Sequence, residues 1–346
     1  MAHWPRESLS IWMHNANAEI QWLGAQQIAV TQTNAQRSTD ATYLTSLRSG
    51  WFDYAAEELG SNRFASLGVR ILGRVAQFAG LDRLVLLDNL PISTNEHLAC
   101  NTVEIAQLSQ VLSELHPDHF IGVRNVLPHK NADLMRELKQ QGFVSLPARV
   151  IYEFDLRQEP TKKPSHLMRD FSALKKSSFE SCVLNEISNL QANQLRQLYQ
   201  SIYIEKHSAL NPQYSSQFFS DMLQSQVMRC LLLRDSNQDV RAFAMLYQVG
   251  DTLTVPALGY DRALENIGLY RMLFASIYQY ALNSKLLLNY SSGAGDFKRK
   301  RGATPHLEYT LLRAPLRYRL WQKKWLRWIE TQTATLGASD LIALGA

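Results

Sequence analysis

Cysteine is scarce in this chain of 346 residues: it occurs three times, as Cys100, Cys182 and Cys230, with no CxxC among them. An odd and scattered set excludes a disulfide framework and a cysteine-based zinc site, and it fits a reducing compartment. Long apolar runs are missing too. No stretch approaches about 18 uninterrupted apolar residues, so no membrane-spanning helix is expected. Residues Met1 to Asn15 lack a cationic segment followed by an apolar one, so no secretory signal is read there. A cytosolic location, or one on the cytosolic face of a membrane, is expected. Low-complexity tracts and short-period repeats are absent. So are GxSxG and any cysteine in a nucleophile setting.

The apolar fraction of 46% against 19% charged excludes a disordered or collagen-like chain, and the length accommodates about two domains with separate cores. The net charge of +5 is unevenly placed. Lys298 to Arg327 carries ten Lys/Arg and one acid, Glu308, a local +9 that leaves −4 for the remainder. One cationic stretch on an acidic body suggests a single anionic partner at a single place: CoA phosphates, tRNA or anionic lipid headgroups.

Two prolines and clustered charge in Gln158 to Lys176 mark a linker leading into a short helix, hence halves at 1–157 and 177–315 with a basic tail from 316. In the first half Phe64–Leu72, Arg83–Asn89, His119–Val126 and Ala148–Leu156 read as strands. Thr102–Leu115 and Asn131–Gln141 read as helices, the latter closed by Gly142. In the second, Ala192–Glu205 and Ser216–Ser225 read as helices and Met228–Arg234 with Val240–Val249 as an antiparallel pair. Thr252–Gly259 follows as a strand, Gly268–Asn283 as an amphipathic helix and Leu286–Tyr290 as a short strand. A Gly/Lys/Arg loop then leads to a closing strand, Leu307–Leu312. The predicted class is α/β, each half a mixed, mostly antiparallel sheet flanked by helices.

The segment Leu288 to Gly302, LNYSSGAGDFKRKRG, places a small-residue loop and FK-x-x-x-G after a strand. It is similar to the late motif of FemAB-like and BioF2-like acyltransferases, tandem members of the GNAT superfamily. Glu205 to Tyr214, and Gly259-Tyr260-Asp261 with Gly268-Leu269-Tyr270-Arg271, also look family-like. The match runs from Gln191 to Leu312, and its extension to a first GNAT-like half rests on element order. The resemblance implies transfer of an acyl or aminoacyl group onto an amine from acyl-CoA, aminoacyl-tRNA or a carrier-protein thioester, and it associates Lys298 with the donor or anionic substrate. One departure concerns the pyrophosphate loop. Arg262 to Tyr270 keeps one glycine, puts Tyr270 where a small residue is usual and sets Glu265 near the phosphate position, which repels an anion.

Candidate donor- or substrate-binding residues are Lys298, Arg299, Arg301 and Arg271 for charge, Asn289, Ser291, Ser292 and Gly293 for orientation, and Phe297, Lys206 and Asn211 from the family-like blocks. Asp261 is a candidate base, but it also suits an N-cap of the following turn. Tyr260 and Tyr270 are candidate proton donors. His207 has the ring whose ordinary pKa suits proton transfer near neutrality, and a histidine at a helix C-terminus is also ordinary dipole chemistry. Arg124 and Asn125, at a strand end, could line an acceptor cleft. His116-Pro117-Asp118-His119 has ligand types but not a zincin spacing, and no metal is expected. In Leu316 to Ile329, Tyr318, Trp321, Trp325, Trp328 and Ile329 share one helical side against Lys323, Lys324 and Arg327. That pattern suits packing on the first half or contact with anionic membrane. The function expected is amide-forming acyl transfer to a small-molecule or lipid amine, with acyl-CoA or a carrier thioester as co-substrate. An aminoacyl-tRNA-dependent enzyme, a membrane-associated lipid N-acyltransferase and a non-catalytic binding module stand as alternatives.

Overall fold

The computed structural model describes residues 4–33, 41–59, 63–78, 80–317 and 320–335. Eleven strands form a single sheet: β1 Ala18–Leu23, β2 Ile28–Thr33, β3 Leu84–Leu87, β4 Phe120–Val126, β5 Val144–Asp155, β6 Glu180–Leu184, β7 Met228–Arg234, β8 Val240–Val249, β9 Thr252–Tyr260, β10 Leu287–Asn289 and β11 Thr304–Arg313. Their order across the sheet is β1-β2-β3-β4-β11-β5-β10-β9-β8-β7-β6. Pairing is antiparallel except for β3 with β4 and β9 with β10. The class read from the sequence, α/β with a mostly antiparallel sheet in each half flanked by helices, is the one observed.

The halves repeat one pattern. Antiparallel strands lead into β3, the helix Thr102–Leu115 and parallel β4; likewise they lead into β9, the helix Leu269–Asn283 and parallel β10. A parallel pair needs such a crossover, because a tight turn cannot return the chain to the same end. The seam between halves is crossed by exchange: β11, late in the chain, lies between β4 and β5, while β5 pairs with β10. Every residue of β9 is buried, as a central strand covered on both faces requires. The helix Leu269–Asn283 closes one face over Phe154, Leu253 and Leu288, and the helix Asn189–Ile202, begun by a Ser188–Gln191 capping box, covers the other. Gly259 lets the latter approach, since a β-carbon there would meet the backbone of Leu198.

Two expectations change. Phe64–Leu72 is not a strand but part of the helix Arg63–Phe78. Its large apolar residues are interleaved with Ser66, Gly73 and Ala76, which fall on a different helical side, so what reads as a continuous apolar run is two faces of a helix. The segment expected as a Gly/Lys/Arg loop contains a helical turn, Gly295–Arg299, that directs Lys298 inward. The helix Ser165–Lys176 follows the proline-rich stretch and packs on the helix Leu269–Asn283 through Phe171 and Tyr278. Among the described residues no helix is long and apolar enough to cross a membrane.

Candidate active site

The residues singled out from sequence fall into three places. At the end of β9 the Asp261 side chain caps the turn Arg262–Ile267, accepting from the Ala263 N–H at 3.0 Å, and pairs with Arg241 at 3.2 Å. Tyr260 donates to Glu265 at 3.3 Å, and Glu265 pairs with Lys206 at 2.5 Å. The Lys206 ammonium holds the Glu265 carboxyl below its usual range, and Lys206 is raised in return. Burial raises the Tyr260 hydroxyl, and it takes that of Tyr270, whose ring stands 5.0 Å from Phe297, to about 12. His207 is exposed at the end of the turn Tyr203–His207, and Asn211 is buried, donating to the carbonyls of Tyr203 and Ser208. Arg271 is exposed and lies over Gly268, where a side chain would run into its guanidinium.

The FK-x-x-x-G cations are the second group, and most of them point into the protein. Lys298, 2% exposed, donates to the carbonyls of Tyr290, Ser291 and Ser292 at 2.8, 3.1 and 2.6 Å. Its three donors are thereby used, and burial pulls its pKa well below the ordinary lysine value. Arg301 forms a buried bidentate pair with Asp170 and stacks on Phe297 at 3.4 Å. Arg299 donates to the Tyr152 hydroxyl at 3.1 Å. Ser292 and Gly293 lie in the turn that Lys298 holds, Gly293 with φ 76°.

The third place is the seam, and it unites Asn289 and Ser291 with Arg124 and Asn125, read from the sequence as candidates for an acceptor cleft, and with Thr94, Glu96, Arg149 and Glu308, which the sequence did not single out. Asn289, fully buried at the end of β10, donates to Glu96 at 2.8 Å and accepts from the Ser291 N–H at 3.0 Å. The Ser291 hydroxyl meets that of Thr94 at 3.1 Å. Arg149 reaches Thr94, the Ser93 carbonyl and Glu308, whose carboxylate also accepts from Asn125 at 2.9 Å. Arg124 is buried and donates to the Leu44 carbonyl and to Asn89, so it braces this network from inside. The strands are irregular here. Asn125 has φ 60° where the β4–β11 register shifts, and the β5–β11 register shifts at Glu308; bulges of this kind re-aim side chains next to functional sites.

Beside this network a cavity of about 550 Å³ opens between the loops after β3 and β4 and the start of β9. Glu96, His97, His129, Lys130, Glu153 and His306 line its inner part. Glu153, 4% exposed, receives His129 Nε2 at 2.9 Å and His306 Nε2 at 3.5 Å on one oxygen and Lys130 at 2.8 Å on the other. Lys130 bridges to Glu96 at 3.1 Å. Burial raises the Glu96 carboxyl. It lowers His306, with the neighbouring His129 and Lys130 adding to that effect against Glu153. For His97 burial acts downward and is the largest single effect, but the hydrogen bond to Asp88 at 2.7 Å, the charges of Asp88 and Glu96 and the Arg124 carbonyl together outweigh it, and the ring is raised. His129, Glu153 and His306 also offer three ligand atoms within 4.8 Å of one another, a set that could hold a metal ion. At the mouth Arg157 pairs with Asp155 and Asp251. Two signals for this site exist in the sequence: two acids, Glu153 and Asp155, inside the apolar run Val150 to Leu156, and a histidine and lysine, His129 and Lys130, shortly after the buried strand that ends at Val126.

The cationic tail divides. In the helix Leu320–Thr335, Leu326 is buried and Ile329 packs against the first-half core, while Trp328 is 60% exposed. Tyr318 and the side chains of Trp321 and Trp325 lie outside the described residues.

No protein-family model matches this chain, and no curated protein matches it. Solved structures do. L-PGS from Bacillus licheniformis is similar over 91% of this chain and 90% of its own, with 10% identity and a TM-score of 0.56. The C-terminal domain (DUF2156) of a putative lysylphosphatidylglycerol synthetase from Agrobacterium fabrum is similar over 94% of this chain and 90% of its own, with 10% identity and a TM-score of 0.53. At such identity the likeness establishes a shared fold over nearly the whole of both chains.

Proposed function

We propose that the protein is an acyl- or aminoacyltransferase in which an amine attacks an activated ester or thioester at the seam between its halves. The observation that carries this reading is the carboxylate–histidine cluster of His129, Glu153 and His306 on the wall of the seam cavity. An amine reaches the protein as an ammonium ion and must lose a proton before it attacks. Four carboxylates line the cavity (Glu96, Glu153, Asp155 and Asp251) against two cations, Lys130 and Arg157, so the wall attracts a cationic substrate. Glu153 accepts from His129 Nε2–H, which orients the ring and leaves Nδ1 to take the proton. That first proton leaves to water; after attack the nitrogen gives a second proton to the same ring, which passes it to the departing oxygen or sulfur as the tetrahedral intermediate collapses, and the carbon–nitrogen bond replaces the carbon–oxygen or carbon–sulfur bond. Lys130, tied to both Glu96 and Glu153, is the cation nearest the charge that develops.

A second observation favours an aminoacyl ester of tRNA over acyl-CoA as donor. The turn before the helix Leu269–Asn283 is not an open cradle of N–H groups. Its Ala263 N–H is taken by Asp261, its Gly268 N–H by the Glu265 carbonyl, and the Glu265 carboxylate occupies the approach. A pyrophosphate there meets a carboxylate and spent donors. The test is donor binding by calorimetry with acetyl-CoA, long-chain acyl-CoA and a mixed aminoacyl-tRNA pool. Saturable, salt-sensitive binding of the tRNA alone is expected. Tight binding of a CoA ester, weakened by Arg271→Ala, contradicts the donor reading. Absence of transfer to any amine from any bound donor contradicts the enzyme reading and leaves a binding module.

A further inference from the structure

The helix Arg63–Phe78 is mounted the wrong way round for a core helix. It rests on the body through Ser66, Val69, Gly73 and Ala76, small or half-buried residues, with Gly73 close against Phe52. Its large apolar residues face away: Phe64 is 90% exposed, Phe78 89%, Leu67 and Leu72 57%, Ile71 53% and Val75 47%. At 3.6 residues per turn these six fall within one continuous arc of about 140°. Arg70 and Arg74 are exposed along one border of that arc, and the sixteen residues include no acid. A soluble body rarely leaves so much contiguous apolar surface open to water without a partner for it.

We infer that this helix is a docking surface for an anionic lipid bilayer, lying in the interface plane with Phe64, Leu67, Ile71 and Phe78 among the acyl chains. Charge selects the occupant. Arginines flanking an apolar arc free of acids match a negatively charged headgroup layer, which a neutral apolar partner does not require. The neighbouring element carries the same signature. The helix Leu320–Thr335 shares a core with Ala76 through Leu326, its Gln322 lies against Gly80, and it exposes Trp328 beside Arg327 and Lys324. An indole next to cations is the usual occupant of the headgroup level. This inference does not rest on the chemistry proposed at the seam.

The experiment is flotation of the full chain with vesicles of pure phosphatidylcholine and of phosphatidylcholine containing phosphatidylglycerol, together with sedimentation velocity without lipid. Wild type should float with the anionic vesicles and bind neutral ones much less. Phe64→Ser with Phe78→Ser should weaken flotation at least tenfold with an unchanged melting temperature, since both rings are in water. Arg70→Gln and Arg74→Gln should each cost roughly fivefold on anionic vesicles only. Failure of wild type to float with either composition overturns the inference. So does a wild-type dimer that the double serine variant converts to monomer, because the face then belongs to a second copy of this chain.

Discussion

The loops after β3 and after β9 hold equivalent places in the element order of the two halves, yet they treat charge in opposite ways. After β9 the charged groups are outside: Glu265 with Lys206 and Asp261 with Arg241 are pairs whose members are all roughly a quarter exposed or more. After β3 the charge is inside: Glu96 has 9% side-chain exposure and shares Lys130 with Glu153 of β5, at 5%. Water screens the first set and leaves each pair worth little, whereas the second is held out of water at a cost that only partners and geometry offset. Repeating a fold therefore does not repeat a site. The half with the family-like motif has no open turn of N–H donors before the helix Leu269–Asn283, and the other half supplies most of the buried polar groups at the seam.

That contrast can be strained from several directions. The largest effect on stability is expected from Asp170→Ala, which strands the buried Arg301 guanidinium. Breaking such a pair costs about 3–5 kcal/mol, and a clear fall in the urea midpoint should follow. If the loss is small, the FK-x-x-x-G cations are not the internal braces described. Next, His306→Asn should flatten the acid side of the stability profile. His306 is held below its ordinary pKa, so between that folded value and the unfolded one near 6.5 the unfolded chain binds more protons. Wild-type stability should then be complete above that window and fall on acidification through it. Melting temperatures between about pH 5 and 8 read the difference, and parallel profiles would speak against a half-buried ring held neutral. The smallest effect belongs to Glu265→Gln, where an exposed pair should contribute under about 1 kcal/mol and melting should hardly move.

Much of the fold could be read in advance, the strands from apolar runs bounded by turn residues and the helices from their 3.6-residue periodicity. Met228–Arg234, Val240–Val249 and Thr102–Leu115 are observed with the bounds expected, and the parallel β10 follows its crossover helix as element order implies. Arg63–Phe78 defeated the same rule because its apolar side faces outward, so apolar character there did not mean core. The site was legible only in part. Asn289 and Ser291 stand where a motif points, but Glu96, His129, Glu153 and His306 come from separate strands and loops, and only the exchange of β5 and β11 across the seam gathers them. A run of lysines and arginines resembles a ligand loop whether its side chains face out or, like Lys298 and Arg301, in; the carbonyls and the carboxylate that turn them inward are distant in sequence or set by a left-handed turn.

The most direct test sets the two regions against each other in one assay. Single-turnover transfer from a bound donor to an amine is measured for wild type, Glu153→Gln and Asp261→Asn, with melting temperatures confirming that each variant is folded. The seam account predicts that Glu153→Gln slows transfer by roughly 10²-fold or more while Asp261→Asn stays within about threefold. A large loss in Asp261→Asn with Glu153→Gln near wild type would move the chemistry to the end of β9 and contradict the account.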